Sequence, residues 1–267
     1  MKILCCNIRK KLQEDEASGN GWDVRKDFCL EVMHAQSADV ICVQECFNVQ
    51  YKDLVGGLPE FESFGLSNPD ELFNPGNAIF FARDRFDLVS AGGFWLSETP
   101  HIAGSQSWDS ARSRFANWVD LKDRESGQEF RVWNTHFDHI GQVAREKQAQ
   151  RIVEACQAFP ADFPQLFAAD CNADAANPAI EVMKAGGWID TYIEMHGPDD
   201  PGFTFHAFLG PKFAERPKEK IHGKIDFIFH RGPVKTVAAE IIYDSRDGRY
   251  PSDHYFLSAE VMLDNRS

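Results

Sequence analysis

The sequence predicts an α/β protein in which two sheets pack together with helices on the outside. Three observations carry that expectation. Short apolar runs alternate with helix-spaced patterns over the first 60 residues, a series of strand-like runs covers 77 to 136, and helical and strand patterns then alternate again. An early βαβ pattern succeeded by consecutive strands points to two sheets.

In chain order, Ile3-Leu4-Cys5-Cys6 reads as a strand covered on both faces, because it is apolar without alternation. Val24, Phe28, Val32 and Ala35 recur at helical spacing with Lys26, Asp27 and Glu31 between them, which gives a helix with one apolar stripe. Val40-Ile41-Cys42-Val43 is a second buried strand. Residues 77–82, 86–96, 115–121 and 130–136 read as strands joined by turns. Ala149, Ile152, Val153, Cys156 and Phe159 mark a helix, 165–169 a strand and 178–185 a shorter helix. Ile225, Phe227 and Phe229 alternate with Asp226, Ile228 and His230, so this strand presents two different faces. A last strand covers 255–261, and the stretch 211–220 reads as a surface loop. With no repeat, low-complexity tract or long linker, residues 1–267 are expected to form one domain.

Composition narrows the function classes. The chain has 267 residues, 43% of them hydrophobic, with 22 Phe, 6 Trp and 5 Tyr, which supports a sizeable core and excludes disorder. Its net charge of −13 disfavours a broad basic face for long nucleic acid. Binding of cations, or of a phosphate ester held through a cation, stays open. No apolar run approaches the roughly 18 residues of a membrane span. The apolar stretch near the N-terminus is too short for a secretory signal. Seven cysteines, an odd number with Cys5 and Cys6 adjacent and no C-x-x-C pair, suit small buried hydrophobes in a reducing, cytoplasmic compartment. The oligomeric state is not indicated.

The buried runs are most informative at their ends. The first strand ends at Asn7, and the second ends in Gln44-Glu45. Residues 132–133 run into Asn134-Thr135-His136, 166–169 into Asp170-Cys171-Asn172, and Asp253-His254 stand just before the last strand. Carboxylates gathered at one edge of packed sheets repel one another unless something cationic sits among them. Oxygen donors without cysteine suit a hard divalent cation such as Mg²⁺ or Mn²⁺ over zinc. Such an ion, held by one or two carboxylates, is the usual partner of phosphate chemistry.

Asn7, Val43-Gln44-Glu45, Asn134-Thr135-His136, Asp170-Cys171-Asn172, Lys224-Ile225-Asp226 and Pro251-Ser252-Asp253-His254 occur in an order that resembles the endonuclease/exonuclease/phosphatase superfamily, the deoxyribonuclease I-like fold. The resemblance spans about residues 3 to 260. It implies a four-layer α/β/β/α sandwich and a divalent-metal-dependent phosphoesterase. Carried over position by position, Glu45 would be the principal metal ligand with Asn7 beside it, and Asp253 would lie near that metal or a second one. Asp170 and Asn172 would position the attacking water and hold the phosphate. His136 would donate to nonbridging oxygens, and His254 would stand next to the phosphorus, oriented by Asp226.

Around this set, Arg9, Arg114, His139 and His206 are candidate substrate contacts, with Lys10, Lys11 and Arg112 as neighbours. Trp95, Trp108 and Phe205 are candidate stacking surfaces. The stretch 212–224, with five basic and two acidic side chains, is a candidate phosphate-facing loop. Two departures stand out: Ala169 and Cys171 replace the common Gly and Phe, and Arg9-Lys10 come after Asn7 where nucleases of the family often carry an acid. The 134–139 block, Thr204-Phe205-His206 and the 250–254 ending look most like small stand-alone bacterial-type members, which share features with the deadenylase-like branch. The expected substrate is a small or short phosphodiester. The alternatives are nucleolytic action on nucleic-acid ends and a catalytically silent binding scaffold.

Overall fold

A computed structural model describes residues 1–67, 74–199, 201–217 and 223–264. Two six-stranded mixed sheets lie face to face. In the first, β1 (Lys2–Asn7) and β2 (Val40–Gln44) run parallel at the centre, joined by α1 (Gln13–Ala17) and α2 (Trp22–Ala35). After α3 (Asn48–Gly57), β3 (Phe61–Phe64) and β4 (Ile79–Ala82) complete one edge antiparallel. In the second sheet, β5 (Phe86–Trp95), β6 (Phe115–Asp123) and β7 (Glu129–His136) form an antiparallel run. Helix α4 (Gln142–Cys156) then crosses over to β8 (Gln165–Asp170), which lies parallel to β7. Next come α5 (Pro178–Ala185), β9 (Ile189–Asp190), α6 (Thr191–His196) and β10 (Asp226–Arg231). Strands β11 (Val234–Ile242) and β12 (Phe256–Leu263) return to the first sheet. The strand orders are β11-β12-β1-β2-β4-β3 and β5-β6-β7-β8-β10-β9.

The unbroken apolar runs are explained by burial on both faces. In β1, Ile3 and Cys5 point between the sheets toward Val132, Leu166 and Ile228, while Leu4 and Cys6 pack under Trp22, Val32 and Leu54 of the helical layer. In the second sheet, Trp133, Phe167 and Phe227 pack against Ala149, Ile152 and Met183 of α4 and α5. Three apolar interfaces therefore separate four layers, as the resemblance implied. Truncating a ring at one of these interfaces, Phe167 for instance, would cost about 3–5 kcal/mol.

Local differences from the sequence expectations have local causes. Strand β11 escapes pattern reading because a bulge between Thr236 and Ala238 shifts its register and breaks the alternation of buried and exposed residues. Helix α3 buries only Gln50 and Leu54, too few for an apolar stripe. Helix α4 starts at Gln142, seven residues before the apolar residues that mark it, and Phe159 lies beyond its end. The stretch expected as a surface loop contains a 3-10 helix, Gly210–Glu215, that buries Phe213 against Phe203 and Phe205; residues 218–220 lie outside the described residues. All seven cysteines are free and buried. Among the described residues no helix is long and apolar enough to cross a membrane.

Candidate active site

Each sheet has one parallel pair at its centre, and the carboxyl ends of both pairs meet at one cleft of about 340 Å³. Register puts Asn7 beside Gln44 in one sheet and His136 beside Asp170 in the other. Strand β10 runs antiparallel to β8 with Asp226 directly opposite Asp170. The sheets are tied beneath the cleft by buried amides. Gln44 Nε2 donates to Asn134 Oδ1 at 2.7 Å, and Asn134 Nδ2 donates to the Val43 and Ala78 carbonyls.

Asp170 is the centre of the floor. Its Oδ2 accepts from Asn7 Nδ2 across the two sheets at 2.9 Å, and its Oδ1 accepts from the Asn172 N–H at 2.9 Å. His136 Nε2 lies 3.3 Å and His254 Nε2 3.8 Å from Oδ2. Burial, and then the Asp226 charge facing it, push the Asp170 carboxyl up to about 7. His254 is the converse case. Burial opposes its charge, yet Asp226, whose Oδ2 lies 2.9 Å from His254 Nδ1, together with Asp170 and Asp253, raises the imidazolium to about 10. Phe205 covers that ring edge-on at 5.1 Å. His136 goes the other way, since burial first, and then the Arg114 and His254 charges, hold it well below its ordinary value. Asn172 Nδ2 sits 2.7 Å from His136 Nε2 and also donates to the Phe137 carbonyl.

The second group of acids enters from turns. Arg9, Glu45 and Asn172 all line the cleft and all have φ in the left-handed region, at 52°, 59° and 46°. That conformation costs about 1–2 kcal/mol for a residue with a Cβ, and such strain gathers where side chains must be aimed. Glu45 Oε2 accepts from the Lys10 N–H at 3.1 Å. Burial works against the Glu45 charge, but that bond and the His254, Lys10 and Arg9 cations keep its carboxyl below the usual value. Asp253 is raised by burial and by repulsion from Glu45, with Arg9 Nη1 3.6 Å from its Oδ2.

The rim carries the cations. Buried Asp138 accepts from the N–H groups of Ala111, Arg112, Ile140 and Gly141 and lies 3.7 Å from Arg114 Nε. Burial opposes ionisation of Asp138, but these N–H groups and Arg114 hold its carboxyl below the ordinary value. Arg114 Nη2 is 3.3 Å from His139 Nδ1. Arg112, Arg114, His139 and Lys10 thus face the cleft from loops fixed to one internal carboxylate and to Glu45. Neither Asp138 nor the amide pair Gln44–Asn134 is singled out as an anchor by sequence reasoning. Their one signal in the sequence is their place inside the 43–45 and 134–139 motifs.

The structure brings together Asn7, Glu45, His136, Asp170, Asn172, Asp226, Asp253 and His254, with Arg9, Arg114 and His139 on the walls. His206 is not brought there. It is fully buried between the Tyr250 and Tyr255 rings, with Nδ1 accepting from the Gly210 N–H, because its backbone N–H pairs with the Asp253 carbonyl and turns the ring away. Phe205 lines the cleft, whereas Trp95 and Trp108 do not. Of the basic 212–224 stretch, Lys224 is buried against Asp190 Oδ2 at 2.9 Å, neither Lys212 nor Arg216 lines the cleft, and Lys218 and Lys220 lie outside the described residues.

A divalent cation fits this donor set. Glu45 and Asp253 supply oxygen donors at the cleft wall, the preference of a hard ion, and their mutual repulsion is what such an ion relieves; the Asn7 amide lies behind them, its Oδ1 accepting from the Arg9 N–H at 2.9 Å. Asp170, Asp226 and His254 also offer ligand atoms within 4.8 Å of one another. In that second set Asp170 is also held by the Asn7 amide and His254 by Asp226, at 2.9 Å each.

The sequence matches the endonuclease/exonuclease/phosphatase family over residues 4–254. The chain is 25% identical over 280 residues to Nocturnin of Drosophila melanogaster, covering 91% of this chain and 42% of that one. It spans about half or less of the length of the curated relatives it matches. Among solved structures, an endonuclease/exonuclease/phosphatase family protein from Bacteroides thetaiotaomicron superposes with a TM-score of 0.88 at 29% identity, covering 99% of this chain and 98% of that one. A mannosyl-6-phosphatase from the same organism gives 0.86 at 29%, covering 98% and 99%. The chain belongs to the endonuclease/exonuclease/phosphatase family.

Proposed function

We propose that this member of the endonuclease/exonuclease/phosphatase family hydrolyses phosphate esters of small or short substrates with a divalent metal, Mg²⁺ or Mn²⁺. The observation that supports this best is the floor geometry: Asp170, gripped by Asn7 and Asn172, faces His254, which Asp226 orients. Both sheets contribute to the one cleft, so residues 1–267 are read as one catalytic domain. Seven free buried cysteines suit a reducing, cytoplasmic setting.

Glu45 and Asp253, with Asn7 behind them, would hold the metal, which supplies charge neutralisation on the phosphoryl oxygens. Asp170, raised to about 7, accepts the proton of the attacking water, since a base near the working pH is the effective one. His254, protonated through Asp226, donates a hydrogen bond to a phosphoryl oxygen as negative charge grows there, and the proton taken up by Asp170 passes to the ester oxygen that leaves as its bond to phosphorus breaks. Asn172 and neutral His136 orient the phosphate, and Arg9, Arg114 and His139 steady the rest of the substrate.

The size of the cleft and the charge of −13 favour a small ester over a long nucleic-acid track. A short phosphodiester is the first substrate class. A phosphomonoester of a sugar is the second reading, favoured by the cations Lys10, Arg112 and Arg114 on the rim and by the named activity of the mannosyl-6-phosphatase relative. Turnover of bis-p-nitrophenyl phosphate, p-nitrophenyl phosphate, sugar phosphates and oligo(A) with Mg²⁺ tests this. Hydrolysis of the small esters with little action on oligo(A) is expected. Silence on every phosphate ester together with no Mn²⁺ binding would leave the fold as a binding scaffold.

A further inference from the structure

Arg25 is 4% exposed on α2 and lies behind the cleft, outside its lining. Its guanidinium reaches four backbone carbonyls. Nη1 donates to Ile8 at 2.5 Å and Pro251 at 2.9 Å, Nη2 to Arg9 at 2.5 Å and Nε to Asn20 at 3.1 Å. The group also lies over the Trp22 and Phe208 rings, 5.0 and 5.7 Å from their centroids. Among the described residues it forms no ion pair with a carboxylate, so its fork is spent wholly on main chain.

The residues borne by that main chain give the clamp its meaning. Ile8 and Arg9 lie between Asn7 and Lys10, and Pro251 precedes Asp253 and His254 by two and three residues. Gln50 of α3 reinforces one side, with Nε2 donating to the Arg9 carbonyl and Oε1 accepting from the Lys11 N–H, both at 2.9 Å. Arg9 is thereby held in its left-handed conformation. That turn delivers the Lys10 N–H to Glu45 Oε2 and brings the Arg9 guanidinium to Asp253. On the other side the Ser252 hydroxyl donates to the Asn7 carbonyl at 2.6 Å.

We propose that Arg25 is a positioning residue for the metal-binding wall: it clamps the loop after β1 to the loop before β12, so that Glu45 and Asp253 face the same cleft. The proposal rests on the functional reading above for its kinetic readout, and Mn²⁺ affinity gives a second readout that needs no turnover. A planar fork can bridge two strands of carbonyls at once, whereas an ammonium acts as a point charge. Groups that orient metal ligands from behind typically govern metal affinity or activity by about 10–100-fold.

The test compares wild type, Arg25→Ala and Arg25→Lys by Mn²⁺ titration, by kinetics on bis-p-nitrophenyl phosphate and by melting. In Arg25→Ala we expect Mn²⁺ affinity and kcat each to fall by about 10–100-fold with KM nearly unchanged. Guanidinium ion at non-denaturing concentration should restore both, and methylammonium should not. Arg25→Lys should fold and lose about tenfold in each readout. Mn²⁺ affinity and kcat within about twofold of wild type in a folded variant would overturn the proposal. So would guanidinium that raises the melting temperature without restoring them, or failure of Arg25→Lys to fold. Absence of turnover in the wild type would strike the functional reading instead, while the Mn²⁺ comparison would still judge Arg25.

Discussion

The floor of the cleft buries its charged groups while the rim leaves Arg112 and His139 exposed, and the two are built by opposite means. On the floor, Asp170 and Asp226 sit at the ends of neighbouring strands, and Asn7 and His254 stand at the first sheet's ends facing them. Sheet register holds Asn7, Asp170 and Asp226, an isolated bridge to Phe205 holds His254, and their charges act directly on each other. On the rim, Lys10, Arg112, Arg114 and His139 come from irregular chain, and their places depend on anchors that never touch the cleft: Asp138 for one side, Arg25 and Gln50 for the other. Chemistry placed on strands is rigid without help, while recognition placed on loops needs an internal polar residue behind each loop.

If that contrast is right, substitutions should separate into two kinds. The largest effects belong to the floor. His254→Ala and Asp226→Asn should each lower kcat by about 10²–10⁴-fold with the fold intact, measured by steady-state kinetics alongside circular dichroism. Activity near wild type in either would remove the assigned roles. Glu45→Gln should come close behind, lowering turnover by about 10²-fold through weakened Mn²⁺ binding, which calorimetric titration checks. Retention of Mn²⁺ affinity there would shift the metal toward the Asp170–Asp226–His254 set.

Asp138, which anchors the substrate-facing rim alone, should act on stability first, unlike Arg25, which also positions the metal-binding wall. Asp138→Asn leaves backbone N–H groups poorly paired and should cost about 1–3 kcal/mol, with a higher KM and a nearly unchanged kcat. The pH dependence sharpens this. Because the folded Asp138 carboxyl lies below its unfolded value, its stabilisation is complete above about pH 4 and is lost as pH falls through the lower folded value. Melting curves of the variant should therefore lose part of the acid sensitivity that wild type shows below pH ~4. Smaller still, Arg112→Ala, at an exposed position, should raise KM several-fold and leave melting unchanged. His206→Gln is expected to leave kcat where it is, because that ring packs between tyrosines and faces away from the cleft. A large loss of kcat there would mean that the aromatic pocket reports on the floor.

The floor was legible because its residues break a regular pattern at a predictable place. Asn7, Glu45, His136, Asp170 and Asp253 each end or border a run whose burial forbids charge, so polar side chains there stand out. Thr204-Phe205-His206 shows the limit of that signal. Phe205 and His206 are adjacent, yet one lines the cleft and the other is sealed behind it, since a bridge between Phe205 and His254 decides which ring faces which way. Lys224 is similar: it belongs to a basic stretch in sequence, but Asp190 and the Phe227 ring claim it in the core.

By itself the sequence determined the two-sheet architecture, the oxygen-rich chemistry of the strand ends and the family, because burial patterns and short motifs are local. The tertiary structure alone decided which acids share a proton environment. Asp170 and Asp226 are 56 positions apart and become antiparallel neighbours, so one carboxyl rises to about 7 while His254 rises to about 10. Pairings of that kind depend on which strands lie side by side and on the low dielectric that surrounds them, and neither is written in the residues that flank each acid.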